Sequence, residues 1–166
     1  MIEKELENMR EYLKQNLKNN SKEVIFLCIG SSKINGDSIG PRVGSLLKKQ
    51  SKFQKNKIFG DMQKTITAKN ILEIKNELKD KFTIVIDSAM GKKELIGNIY
   101  ISNTKTRLGR ALDKNIEEIG DISIKACICE NLYDPIKNYY ELKKVNINLI
   151  TSLTNQIINV ICQVNE

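Results

Sequence analysis

Residues 24–44 read VIFLCIGSSKINGDSIGPRVG and carry the signals that decide the fold. An apolar run with many β-branched residues predicts a central strand over residues 23–29, covered on both faces. A glycine- and serine-rich loop follows over residues 30–40, and Pro41 is typical of the first turn of a helix. The stretch therefore predicts a strand, a loop and a helix as the first unit of the protein.

The same alternation continues along the chain. Apolar runs predict further strands over residues 57–59, 82–86, 98–102 and 119–129. Apolar side chains at helical spacing predict a helix at about residues 1–18, one from Thr67 with Ile71, Leu72, Ile74 and Leu78 on one side, and a long closing helix over residues 142–164. Alternating strands and helices predict an α/β fold, a three-layer αβα sandwich with a mostly parallel sheet, in one domain over residues 1–166.

The composition narrows the chemistry that this protein can perform. With 166 residues, 40% of them hydrophobic and 28% charged, the chain is typical of a soluble globular protein. It contains no histidine. Ser-His-Asp and Cys-His nucleophiles, histidine-ligated zinc and an imidazole base are therefore excluded. Catalysis is left to carboxylates, lysine, hydroxyls, thiols and main-chain amides.

The apolar runs and the cysteines predict a cytoplasmic protein. No run approaches the roughly 20 apolar residues that cross a bilayer, and the N-terminal stretch lacks the pattern of a signal peptide. The four cysteines lie in apolar stretches and are typical of small buried side chains. A metal or redox role for the CxC pair, Cys127 and Cys129, is the less favoured alternative, so we predict neither a metal nor a cofactor.

The charge of the chain does not predict a nucleic-acid partner. The net charge is +7 and the isoelectric point is near 9.2, which is compatible with a polyanionic ligand. The lysines, however, are interleaved with Glu and Asn along the whole chain, and no aromatic stacking platform accompanies them. We therefore interpret the basic residues as a solvated surface.

The loop over residues 30–44 carries an acid that standard phosphate-binding loops lack. Asp37 stands where a P-loop has its lysine, and the GxGxxG pattern is absent. Asp87 comes directly after the predicted strand at 82–86, and in such folds ligands bind at the carboxyl ends of the strands. If the two strands are neighbours, the carboxyl groups form a coupled pair that retains one proton and activates water. The structural alternative is that Asp37 caps the helix starting near Ile39 and that Asp87 caps a turn.

Several motifs resemble a known family. CIGSSKINGDSIGPRVGSLL (28–47), IFGD (58–61) and IVIDSAMG (84–91) resemble the YyaC-type sporulation proteins of spore-forming Firmicutes, often called spore proteases. GNIYIS (97–102) and IGDISIKA (119–126) extend the likeness over most of the chain. That family is similar to the germination protease of spores and to the hydrogenase maturation endopeptidases, so the resemblance implies a phosphorylase/hydrolase-like three-layer fold.

The resemblance also implies an activity and a site. It implies an aspartate-dependent endopeptidase acting on a protein or peptide in the cytoplasm of the forespore or mother cell, with a homodimer as a further expectation. Asp37 and Asp87 match the loop acid and strand-end acid of these peptidases. In hydrogenase maturation enzymes those acids act with a histidine on the substrate's nickel, so the absence of histidine here favours a metal-free mechanism. The candidate catalytic residues are Asp37 and Asp87, and the candidate substrate-binding residues are Gly36, Ser38, Gly40, Asp61 and Ser88.

Two segments expected at the cleft depart from the family pattern. Residues 103–115 read NTKTRLGRALDKN in place of a loop resembling GPLKPGAGVGK, and residues 142–148 read LKKVNIN in place of LQNTRL. These departures support an alternative function, a catalytically inactive protein with a peptidase fold that binds a peptide or a sporulation protein. A cleft filled by Tyr139, Tyr140 or Arg107 would favour that alternative.

Overall fold

A mostly parallel sheet organises the protein, whose computed structural model describes residues 2–106 and 118–164. The strands of this described part are β1 (Val24–Cys28), β2 (Ile58–Phe59), β3 (Phe82–Gly91), β4 (Ile99–Ser102) and β5 (Ile122–Glu130). They lie in the order β2-β1-β3-β5-β4. All neighbours are parallel except β4 and β5, which are antiparallel. The predicted α/β class is confirmed, with one antiparallel strand at an edge.

Helices flank the sheet. They are α1 (Ile2–Lys18), α2 (Ile39–Leu47), α3 (Lys75–Leu78), α4 (Pro135–Lys144) and α5 (Ile147–Val164). The larger apolar cluster joins α1, α2 and α5 to one face of the sheet through side chains such as Leu13, Val43 and Ile157. A smaller cluster covers the other face, where Leu27 and Val85 pack with Ile66 and Ile71. Both faces of the central strands are therefore buried, as their unbroken apolar sequences require.

Strand β3 is longer than the sequence predicts, and this changes the setting of Asp87. The apolar run predicts an end at residue 86, but β3 continues to Gly91 because β5 goes on pairing with it, through an irregularity after Ala89. On the opposite side β1 stops, and its last pair is Cys28 with Ile86. Asp87 is therefore inside β3 and is also the first residue of that strand beyond the carboxyl end of β1.

The helix predicted from Thr67 is broken into short pieces. The structure has a 3₁₀ helix at Ile71–Ile74, followed by the single turn of α3. The Asn70 side chain explains the late start, since its oxygen accepts from the Thr67 amide at 2.7 Å and its nitrogen donates to the Thr65 carbonyl at 2.9 Å. Such bonds hold the main chain out of a helix. The prediction of Leu72 on the packed side is wrong, since its side chain is 75% exposed.

The closing helix is also two helices rather than one over residues 142–164. Buried Val145 adopts an extended conformation after α4, and the Asn146 side chain accepts from the Asn148 amide at 2.8 Å at the start of α5. Asparagine is a favoured residue for beginning a helix in this way. The break lets α4 turn towards the loop that carries Asp37.

Candidate functional site

The loop after β1 is folded back on itself and holds Asp37 at the carboxyl end of the strand. The Ser31 amide donates to the Asp37 carbonyl at 2.7 Å, and the Gly30 amide donates to the Ile66 carbonyl at 2.9 Å. Gly30 has a φ of +141°, and a Cβ at this position would lie 2.1 Å from the Asp37 carbonyl oxygen. Only glycine fits both the conformation and the close approach. The loop therefore places Asp37 beside the sheet, half-buried.

Asp87 lies on the neighbouring strand, also half-buried. Its Oδ1 atom accepts a hydrogen bond from the Ser88 amide at 2.8 Å. Lys125 of β5 is its register partner, and its positive charge acts to lower the pKa of Asp87. Partners in register on adjacent parallel strands project to the same face of the sheet. Asp87 and Lys125 therefore share one face at this end of the sheet.

The two acids interact electrostatically. Burial raises the pKa of Asp87 to about 7, and the negative charge of Asp37 adds to the increase. Burial likewise raises the pKa of Asp37 to about 6, against opposing hydrogen bonds from the Ser31 main chain and the Ser88 side chain. Desolvation and a nearby like charge both disfavour the ionised form of a carboxyl group. Near neutral pH the pair therefore tends to hold one proton and one negative charge.

Ser88 is next to both acids, since its amide donates to Asp87 Oδ1 and its side chain lowers the pKa of Asp37. The Ser31 amide holds Asp37 through its main-chain carbonyl. An ionised carboxylate has about four lone-pair sites, so both acids keep acceptor capacity for a water molecule or a substrate. Asp37 and Asp87 are therefore close enough to interact electrostatically, with Ser88 next to both.

The structural alternative holds only in part. The N-cap residue of α2 is Ser38, and its side chain makes no capping hydrogen bond. Asp37 therefore does not cap it. Asp87 does accept from its neighbouring amide, but it does so within a strand and not in a turn. Neither acid is explained by the role of a helix cap.

Three of the predicted substrate-binding residues have structural roles instead. Ser38 is buried and its hydroxyl donates to the Asn35 carbonyl at 2.7 Å. A Cβ on Gly40 would lie 2.1 Å from the Ile29 carbonyl oxygen, and one on Gly36 would lie 2.7 Å from that of Leu142. These residues allow close packing of α2 on β1 and of the loop on α4. In addition, the Asp37 and Ser38 amides donate to the Ile34 and Asn35 carbonyls within the loop.

Asp61 is not brought to the pair. It follows β2, where its carboxylate forms an ion pair with Lys48 at 2.6 Å. Burial alone would raise the pKa of Asp61, but hydrogen bonds from Lys48, Lys64 and Gln63 outweigh burial and lower the pKa. Lys48 follows the last residue of α2 and Asp37 precedes the first, and nine helical residues span roughly 13 Å. Asp61 therefore stabilises a turn at the other end of that helix.

The cysteines offer no ready nucleophile or metal site. Cys127 and Cys129 are buried, and burial raises the pKa of both thiols, to about 11 for Cys129. A protonated thiol is a poor nucleophile and a poor metal ligand. In the parts of the chain that the structure describes, no group of three or more His, Cys, Asp or Glu residues could hold a metal ion.

The structure describes part of the two divergent segments that were expected at the cleft. Tyr139 and Tyr140 are 45% and 55% exposed on α4, so neither is buried as a plug between the acids. Leu142 and Val145 from the second divergent segment lie beside Gly36, where a Cβ would meet them. Arg107 and most of the divergent segment at 103–115 lie outside the described residues.

Two features of the site were missed from the sequence. One is Lys125, whose signal was available, because it is the single charged residue in the run ISIKACIC of a strand buried on both faces. The other is the linking role of Ser88, which depends on β3 continuing past Asp87. Nothing in the sequence pattern marks that continuation.

The sequence and the fold have relatives among known proteins. The chain belongs to the DUF1256 family, described as a protein of unknown function, whose model matches residues 2–160. It is 26% identical over 138 residues to the uncharacterized protein YyaC of Bacillus subtilis (strain 168). That match covers 81% of this chain and 65% of the relative, so the chain spans less than two thirds of the relative's length.

Two solved structures share the fold. One is the [NiFe] hydrogenase maturation protease HycI from Thermococcus kodakarensis KOD1, with 15% identity, a TM-score of 0.60, and coverage of 93% of this chain and 98% of that one. The other is the hydrogenase 2 maturation peptidase from Thaumarchaeota archaeon SCGC_AB-539-E09, with 16% identity, a TM-score of 0.51, and coverage of 86% and 97%. At these identities the likeness shows a peptidase-like fold. Among the described helices, none combines the length and apolar character needed to cross a membrane.

Proposed function

We propose that this protein is an endopeptidase in which Asp37 and Asp87 activate a water molecule for hydrolysis of a peptide bond. The observation that carries the proposal is a pair of half-buried acids whose burial raises the pKa of Asp37 to about 6 and that of Asp87 to about 7, with the charge of Asp37 adding to the increase at Asp87. Strongly perturbed acids at the carboxyl ends of parallel strands are typical of catalytic sites. The peptidase-like fold of the two structural relatives adds support.

The pKa order assigns a role to each acid. Asp37 has the lower pKa and loses its proton first, so it acts as the base that takes a proton from water. The water oxygen then forms a bond to the peptide carbonyl carbon. Asp87 keeps its proton longer and donates it to the amide nitrogen as the carbon–nitrogen bond breaks. The proton left on Asp37 then passes to Asp87, which restores the pair.

The biological setting is part of the proposal. The relation to YyaC, together with the sequence resemblance, supports a role in sporulation, in the cytoplasm of the forespore or mother cell. We further propose that residues 1–166 act as one peptidase-like domain, with a protein or peptide as substrate, no metal or other cofactor, and no nucleic-acid partner. A homodimer is the assembly that the resemblance suggests, and sedimentation velocity would measure it.

A second candidate function is binding without cleavage. Exposed apolar side chains occur on α4 and the turn before it, at Leu132, Tyr133 and Ile136, of which Tyr133 is 87% exposed. Helix α4 lies beside the 3₁₀ turn Asn35–Asp37. A peptide could therefore rest on these side chains next to the acids. This arrangement also suits a protein that retains the peptidase fold only to bind a partner.

The proposal is tested by substituting each acid in turn. Purified wild type, Asp37→Asn and Asp87→Asn are incubated with small acid-soluble spore proteins and other forespore proteins, and cleavage is followed by mass spectrometry. Either substitution should reduce turnover by at least about 100-fold, since each removes one partner of acid–base catalysis. Asp61→Asn is the matched control, because it removes another acid that follows a strand, and it should retain turnover.

The outcomes separate the two candidates. Unchanged turnover in both variants of the pair would remove the aspartate mechanism. Retention of a forespore protein without cleavage, equally by wild type and Asp87→Asn, would favour the binding function. Circular dichroism spectra identical to wild type establish that a loss of turnover is not a loss of fold.

A further inference from the structure

A recess between α2 and α5 lies apart from the acid pair. Its volume is about 300 Å³, at the lower end of the range of small-molecule sites. The walls combine polar side chains, among them Arg42, Thr154 and Asn155, with the apolar side chains of Leu46 and Met62. The side chains that line this recess include one cation and no carboxylate.

Arg42 supplies the positive charge of the recess, and no described carboxylate pairs with it. Its side chain is half-buried, and its Nε atom donates to the Ser38 hydroxyl at 3.0 Å. Within residues 2–106 and 118–164, no carboxylate forms an ion pair with it. A bond through Nε fixes the guanidinium plane and leaves the two terminal nitrogens as donors. A half-buried cation held in this way is prepared to receive an anion.

Thr154 contributes a second polar group beside the recess. The residue is only 3% exposed, and its hydroxyl oxygen is buried without a hydrogen-bond partner. Buried polar atoms are nearly always bonded, because leaving one unbonded is costly. Thr154 and Arg42 line the same recess from two different helices. A ligand bound by Arg42 would lie beside Thr154, whose buried hydroxyl has to turn into the recess to bond it.

The chemistry of the lining selects the class of ligand. A guanidinium fork matches the two oxygens of a carboxylate, and one cation balances one negative charge. A phosphate dianion would keep an excess of charge here. Leu46 and Met62 offer contact to a small aliphatic group. We propose that the recess between α2 and α5 binds a carboxylate that carries a small aliphatic group, held by Arg42 and Thr154.

Two sources can supply this chemistry, a free aliphatic acid or the C-terminal carboxylate of a peptide. The full-length protein labelled with ¹⁵N is titrated with 3-methylbutanoate and with an acetylated peptide ending in a free valine. Both probes should shift the signals of Arg42, Thr154 and Asn155, and the tighter of the two identifies the source. The neutral probes 3-methylbutanamide and the amidated peptide should cause no shifts, and inorganic phosphate should bind at least tenfold more weakly.

Substitutions of Arg42 and Thr154 test whether these two side chains bind the carboxylate. Arg42→Gln should weaken the carboxylate at least tenfold, whereas Lys49→Gln, which removes an exposed cation from the same region, should leave binding within about twofold of wild type. Thr154→Val keeps the shape and removes the hydroxyl. It should weaken binding several-fold and raise the melting temperature of the unliganded protein, a combination that a merely damaged fold would not produce.

Clear results would overturn the inference. These are the absence of shifts at 10 mM of either carboxylate, equal binding of acid and amide, phosphate binding as tight as carboxylate, or unchanged affinity in Arg42→Gln. None of these results bears on the peptidase proposal, because the recess and the acid pair are assayed separately.

Discussion

Two acidic regions of this protein look alike in sequence and differ in chemistry. Asp37 and Asp87 lie where β1 ends beside β3, and burial raises the pKa of both. Asp61 also follows a parallel strand, but its ion pair with Lys48 and two main-chain hydrogen bonds lower its pKa. A carboxylate that follows a strand is therefore only a candidate. Its partners decide whether its pKa is raised, as for Asp37 and Asp87, or lowered, as for Asp61 in its turn.

The difference comes from the two ends of α2. Asp37 precedes the helix and reaches the gap where β3 extends beyond β1, where it meets a second acid. Asp61 lies near the other end, where Lys48 supplies a cation. A like charge raises a carboxyl pKa and an opposite charge lowers it, so one helix separates two opposite environments.

The largest expected difference between the Asp37–Asp87 pair and Asp61 is in the pH dependence of turnover. Peptidase activity should be greatest between about pH 6, where Asp37 ionises, and about pH 7, where Asp87 loses its proton. Beyond these limits the rate should fall by about tenfold per pH unit. Asp61→Asn should keep both limbs in place. A rate that rises to a plateau above pH 8 would show that no protonated acid is required.

The next effect is on stability, and it has opposite signs in the two regions. Below about pH 4, Asp87 is protonated in both the folded and unfolded chain, and above about pH 7 the folded chain must ionise it in a buried place. Asp87→Asn should therefore raise the free energy of unfolding by roughly 3 kcal/mol at pH 8, and by little at pH 4. Urea unfolding at the two pH values measures this.

Asp61→Asn should act in the other direction. Because the folded pKa of Asp61 is lowered, its ion pair stabilises the protein at neutral pH, and that stability is lost only as the pH falls through the lowered pKa. The substitution should cost about 1 kcal/mol at pH 7 and less in high salt, as is usual for a partly exposed pair. Equal effects of the two substitutions at pH 8 would contradict the comparison.

The smallest effect concerns Ser88. Its side chain lowers the pKa of Asp37, so Ser88→Ala should raise that pKa and move the acid limb of the pH profile upward by a few tenths of a unit. Ser31→Ala is the matched control, because Ser31 bonds Asp37 through its main-chain amide, which the substitution retains. The control should leave the limb in place, and an equal shift in both variants would argue against a role for the Ser88 hydroxyl.

Much of the fold could be predicted where local pattern and tertiary contacts agree. The apolar run of β1, the helix after it and the parallel central strands are all recognised from sequence. The predictions are wrong where a single side chain or a neighbouring strand determines where a helix or strand begins or ends. Asn70 delays the helix expected from Thr67, Asn146 helps to divide the closing helix, and β5 extends β3 past Asp87.

The candidate site, like the fold, could be predicted from the sequence only in part. The glycine-framed loop and the two acids are visible in the sequence, because a close approach such as that of Gly30 to Asp37 demands glycine. The packing roles of Ser38 and Gly40 are not visible, since the same residues would suit a loop that binds a substrate.

The sequence alone determined the central strands, the helix after β1 and the chemistries that are excluded, because apolar periodicity, glycine positions and the absence of histidine are local or compositional properties. Only the tertiary structure decided that Asp37 and Asp87 share a site and that Asp61 does not. The physical reason is that desolvation and Coulomb interactions depend on distance through space, and residues far apart in the chain become neighbours only after the sheet and α2 have assembled.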